Sequence, residues 1–178
     1  MSQSNERPAE PSPCPPNPNQ SHQSALHPQD RVVIVRRTIR ASAALLFTAY
    51  SRPEHLLRWY GPGNYPVTHA EVDFRVGGAL KMIMTGPDGK QGPPFGGTYL
   101  EIVPDERIVY ENGFLMPGAD KMIVTITFAE LGDTTEVVVH TRFLSDESYR
   151  KHVEMGFVMG TGMGLDQLAL YAPTISAG

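Results

Sequence analysis

Arg58-Trp59-Tyr60-Gly61-Pro62 closes an apolar, helix-like stretch, and Glu71-Val72-Asp73-Phe74-Arg75-Val76-Gly77-Gly78 follows it closely. A glycine and a proline in succession cannot continue a helix, so Trp59, the single tryptophan of the chain, stands at a helix end. The second stretch reads as a strand that breaks at a glycine pair and restarts as Ala79-Leu80-Lys81-Met82-Ile83-Met84. Helices therefore hand over to an antiparallel sheet, with Trp59 and Tyr60 at the junction. A cavity mouth is expected there more readily than a catalytic centre.

Upstream of the junction, Val32 to Ile39 is β-branched and partly alternating, which predicts a first strand. Ser42 is suited to cap a short helix over Ala43 to Tyr50. Pro53 at a first helical position starts a second helix running to about Trp59. Downstream, six strands are expected: Val67 to Val76, Ala79 to Thr85, Gly97 to Val103, Arg107 to Gly113, Lys121 to Glu130 and Thr134 to Phe143. Turn-forming segments such as Gly86-Pro87-Asp88-Gly89 and Leu131-Gly132-Asp133 separate them, and no helix intervenes. This spacing predicts antiparallel hairpins and excludes a parallel α/β sheet. The fold class is thus α+β: seven antiparallel strands, two short helices, and a long closing helix from Asp146 to Tyr171 ended by Pro173.

Before Arg31 the composition changes. Residues 1–29 interleave seven prolines, Pro8 to Pro28, with Ser, Asn and Gln, and almost nothing there can be buried. A disordered tail is expected over 1–29, an ordered domain over 30–173, and a short second tail over 174–178. The chain has 178 residues, a length suited to one domain, with 40% hydrophobic residues to build its core. A net charge of −4 gives no electrostatic case for nucleic acid or an anionic membrane. One cysteine, Cys14, rules out an intrachain disulfide and a thiolate metal site. With neither an apolar leader nor a long apolar run, the expected location is the cytoplasm.

The closing helix carries Gly156, Gly160 and Gly164 at every fourth residue, hence on one face, with Gly162 in addition. Interior helix glycines cost about 0.5–1 kcal/mol each against alanine, so something must compensate. Two readings are open and compatible: close approach of helix to sheet, or volume left for a ligand. The run Gly160-Thr161-Gly162-Met163-Gly164 fails as a dinucleotide loop, because no βαβ unit surrounds it.

With these elements in place, the chain resembles the START-like, or SRPBCC, superfamily. Within that superfamily it is similar to bacterial relatives of the C-terminal domain of the activator of the heat-shock-protein-90 ATPase. The matching residues are Phe47 to Leu56, Arg58-Trp59-Tyr60-Gly61-Pro62, Asp73 to Gly78, Gly97 to Pro104 and Leu165-Asp166-Gln167-Leu168. The resemblance implies a helix-grip fold: a curved seven-stranded sheet wrapped around the C-terminal helix, with a pocket between them. Two positions depart from the family pattern. Tyr60 replaces a frequent second tryptophan, and the Gly/Thr/Met run replaces a frequent aromatic in the last helix.

No catalytic signature is present: neither a Gly-x-Ser-x-Gly elbow, nor His-Glu-x-x-His, nor a P-loop. The spacing of His140, His152 and Glu154 does not favour a metal, and no cofactor is expected. Strand alternation points Leu80, Met82, Met84, Leu100 and Ile126 inward, a soft, methionine-containing lining. Trp59, Tyr60, Phe74, Phe157, Gly160, Thr161 and Gly164 complete the expected cavity residues. Asp73 and Arg75 lie two apart, so they share a strand face. They form either a rim salt bridge that fixes the glycine turn or a polar anchor for a ligand. The leading expectation is a small binding protein for a hydrophobic small molecule. The rivals are a chaperone-interacting module and an enzyme of cyclase or hydrolase type using the same cavity.

Overall fold

The computed structural model describes residues 22–175. The strands are β1 (His22–His27), β2 (Val32–Ile39), β3 (Val67–Val72), β4 (Ala79–Met84), β5 (Phe95–Val103), β6 (Arg107–Asn112), β7 (Met122–Glu130) and β8 (Thr135–Phe143). The helices are α1 (Ala43–Ser51), α2 (Pro53–Trp59), α3 (Asp146–Glu154) and α4 (Phe157–Tyr171), with a 3-10 turn over Ala172–Thr174. All pairings are antiparallel, in the order β1-β2-β8-β7-β6-β5-β4-β3. The α+β, helix-grip class expected from the sequence is what the chain forms.

Local chemistry explains the elements. Ser42 Oγ accepts from the Leu45 backbone at 3.2 Å and caps α1, and Ala43 N–H donates to Glu130 Oε1 at 2.9 Å. Pro53 opens α2, and Ser145 caps α3 through Ser148 N–H. Strict alternation on β7 and β8 buries Met122, Val124, Ile126 and Phe128 against Val137, Val139 and Phe143. Leu165 and Leu168 of α4 fill the same core, with Leu46 of α1 and Leu56 of α2. Each such side chain contributes about 1.5–3 kcal/mol on full burial.

Three expectations change. The sheet has eight strands, because His22–His27, inside the segment expected to be disordered, pairs with β2 from His22↔Arg37 to His27↔Val32. Its described side chains are exposed, so no alternation betrays it; the strand is held by its backbone and covers the β2 edge. Residues 1–21, Cys14 among them, and 176–178 lie outside the described residues. Second, the closing helix is two helices. Gly156 takes φ 88°, a left-handed conformation that ends α3 and lets α4 start in a new direction. Third, the strand expected to reach Val76 stops at Val72, and Asp73 to Gly78 form a turn.

Candidate functional site

Between the inner face of the sheet and α4 lies a cavity of about 370 Å³. That volume falls in the ordinary range for small-molecule sites. Its wall is assembled from β4 to β8, the α2–β3 corner and both C-terminal helices. Of the expected residues, Trp59, Tyr60, Met84, Ile126, Phe157, Gly160, Thr161 and Gly164 all line it. Met155 also lines it, yet is 73% exposed, and so marks the opening beside the break at Gly156.

Trp59 sits deeper than its junction position suggested. It is 3% exposed, donates Nε1–H to the Ala49 carbonyl at 3.0 Å, and packs edge-on against Tyr50 at 4.7 Å. It belongs to the inner wall. Phe74 stacks against Phe47 and Tyr99, and Leu80 and Met82 are core around a separate crevice of about 10 Å³. Leu100 is 43% exposed. The register slips between Tyr99 and Glu101, so this β-bulge turns Tyr99 inward in place of Leu100. Asp73 and Arg75 do not reach the cavity. Arg75 Nε donates to both Asp73 oxygens at 2.9–3.0 Å in an exposed pair across the turn. Gly77 N–H and Gly78 C=O then bond the Tyr99 backbone, which ties this turn to β5.

The glycines divide by role. A Cβ at Gly162 would fall 2.7 Å from Arg37 Nη2, so this glycine makes room for a guanidinium. Arg37 Nε then reaches Asp166 Oδ1 at 2.7 Å and clamps α4 to β2. A Cβ at Gly164 would meet nothing within 4 Å although the residue is buried: it borders the cavity. Gly160 faces Pro62 at an ordinary 3.6 Å. Close approach and open space thus both occur, at glycines two residues apart. Gln167 Nε2 donates to the carbonyls of Trp59 and Gly61 at 2.7 and 2.6 Å, which anchors the Trp59–Pro62 corner to α4. The sequence marked Asp166-Gln167 only as part of a motif; the structure gives each a task.

Four phenols lie at or behind this wall. The Tyr60 and Tyr110 hydroxyls are 3.4 Å apart. Burial pushes Tyr50, Tyr60, Tyr99 and Tyr110 above their ordinary ionisation range. A phenol with a raised pKa in the folded state stabilises the fold below its unfolded value of about 10, and loses that contribution as pH rises above it. We therefore expect stability to fall above about pH 10. The phenolate absorbance of these four tyrosines should appear together with unfolding. Their ionisation in a fully folded protein near pH 10 would contradict the packing described.

Asn112, Thr141 and His152 also line the cavity, and no sequence pattern marks a binding role for Asn112 or Thr141. No Asp, Glu, Lys or Arg among the described residues does so. Among the described residues, no group of three His, Cys, Asp or Glu side chains could hold a metal ion. Likewise, no helix among them is long and apolar enough to cross a membrane.

A sheet gripping a C-terminal helix over an apolar cavity defines a START-like domain. The chain belongs to the family described as activator of Hsp90 ATPase homolog 1-like protein, whose profile matches residues 40–172. No curated protein matches it. Among solved structures it is similar to a protein of Chromobacterium violaceum, at 30% identity and TM-score 0.68, over 80% of this chain and 96% of that one. The same fold appears in a protein of Arthrobacter aurescens, with TM-score 0.79, 21% identity and coverage of 86% and 92%. It appears again in a protein of Mycobacterium smegmatis, with TM-score 0.75, 21% identity and coverage of 86% and 98%.

Proposed function

We propose that this protein binds a hydrophobic small molecule in the cavity between its sheet and α4. The observation that carries the reading is Gly164, a buried helical glycine whose side-chain direction opens into space. A helix that served packing alone would gain stability by filling that position. Aromatic walls from Tyr50, Trp59, Tyr60, Tyr110 and Phe157 surround the space, and Met84 and Met155 add adaptable surface. Titration with the neutral fluorophore N-phenylnaphthylamine tests it. The expected result is saturable binding at one site per chain with a blue-shifted emission. Emission that stays at its aqueous position throughout the titration would oppose the reading.

The second reading, a chaperone-interacting module, is supported by the family description and by exposed apolar side chains. Met155, Met159 and Leu170 are 73%, 71% and 80% exposed. Co-sedimentation with the chaperone of the same cell tests it, and a Met159→Glu protein that still co-sediments would argue against those side chains.

A further inference from the structure

Among the described residues, the apolar cavity wall holds two buried polar atoms without a protein partner, Asn112 Oδ1 and Thr141 Oγ1, and His152 lines it at the α3 end. Asn112 and Thr141 point inward from β6 and β8, and β7 lies between those strands. Asn112 Oδ1 and Thr141 Oγ1 are buried and make no hydrogen bond, and Thr141 is fully buried. His152 stacks on Phe143, two residues beyond Thr141, at 5.1 Å between ring centres. Its Nδ1 lies 2.7 Å from the Ser148 carbonyl oxygen, which can only accept. The proton therefore sits on Nδ1, and the lone pair of the neutral ring is on Nε2. Two acceptors and a hydroxyl, which can both donate and accept, thus line one otherwise oily space.

Water inside an empty cavity can serve such groups. An apolar molecule that displaces the water leaves them unserved, so it is penalised unless it replaces those hydrogen bonds. Asn112 Oδ1 and His152 Nε2 both ask for a donor. A carboxylate offers none, and no lysine or arginine lines the wall to meet its charge. An ammonium offers donors but would find no carboxylate there. Resting on the cavity reading above, the geometry points to a ligand that is a neutral aromatic hydroxyl compound. Its rings lie among Trp59, Tyr60 and Phe157, and its hydroxyl donates its single proton to Asn112 Oδ1 or His152 Nε2 and accepts from Thr141 Oγ1.

Calorimetric titration with three rigid probes of similar shape tests this: para-phenylphenol, para-methylbiphenyl and biphenyl carboxylate. The protein should bind the phenol at least about tenfold more tightly than either of the others. Thr141→Val should fold normally, with a melting temperature at or above that of the parent, because it replaces an unpartnered buried hydroxyl with a methyl. Its preference for the phenol over the hydrocarbon should shrink to about threefold or less, with hydrocarbon binding undiminished. Asn112→Leu should act in the same direction. Equal binding of phenol and hydrocarbon by the parent would overturn the inference and leave the apolar cavity standing. So would tighter binding of the carboxylate, or a phenol preference unchanged in both variants. Failure of all three probes to bind would overturn the cavity reading together with it.

Discussion

Gly164→Leu should give a protein that folds at least as well as the parent and binds N-phenylnaphthylamine at least about thirtyfold more weakly. That loss equals roughly 2 kcal/mol of overlap between the new side chain and the probe. The reasoning is steric and conformational. Position 164 is helical and buried, and its Cβ direction is open. Replacing a helix-interior glycine with leucine contributes roughly 0.7 kcal/mol from propensity alone. The new Cβ meets nothing within 4 Å, and the methyls beyond it enter volume that a ligand would need. Gly162→Leu, two residues away, should do the opposite. There the new Cβ would collide with the Arg37 guanidinium and pull it from Asp166. Because Arg37 is only 12% exposed in its side chain, we expect a loss of roughly 1–3 kcal/mol in a urea melt, with probe affinity little changed in the folded fraction. Equal destabilisation by the two substitutions would mean that the helix is packed alike on both faces.

The second large effect concerns the corner between α2 and β3. Gly61 has φ 103°, and a Cβ there would overlap the Tyr65 carbonyl oxygen. The corner is closed by Tyr65 N–H donating to the Pro62 carbonyl at 2.7 Å and Val67 N–H to the Tyr60 carbonyl at 3.1 Å. Gly61 C=O is also one of the two acceptors held by Gln167. Gly61→Ala therefore strains the backbone, forces the corner open and detaches it from α4. We expect a loss of roughly 2–4 kcal/mol in denaturant melts, with weaker probe binding because Tyr60 and Pro62 line the cavity. Gly89→Ala is the control. That glycine also has positive φ, 77°, but its Cβ would meet nothing, so the loss should stay near about 1 kcal/mol. Similar losses at both glycines would show that the corner carries no special constraint.

The fold was legible where one face of a strand or helix is buried and the other is not. Alternation on β7 and β8, the serine cap of α1, and proline at the start of α2 each left a local mark that survives in the structure. β1 left none, because its described side chains are exposed; a backbone ladder has no side-chain pattern. The break at Gly156 was hidden by the glycines after it, which made one more glycine look like part of a stripe. At the site, the helix-borne residues Phe157, Gly160, Thr161 and Gly164 were readable because a helical period fixes which residues share a face. Leu100 misled, since a bulge shifts the parity of a strand and a sequence does not announce it. Asn112, Thr141 and His152 come from three different elements, β6, β8 and α3. What joins them is that two of their polar atoms are buried and bond to nothing, a property of the packed molecule alone.

A hydrophobic molecule in the space beside α4, as proposed, must touch the side chains that line it. The most direct test is the nuclear Overhauser pattern between N-phenylnaphthylamine and the methyl groups of the protein. Contacts are expected to Met84, Val124, Ile126, Val139 and Leu165, which surround the cavity from three strands and one helix. Contacts confined to exposed side chains such as Leu131, Met159 and Leu170, with none to those five, would contradict the proposal.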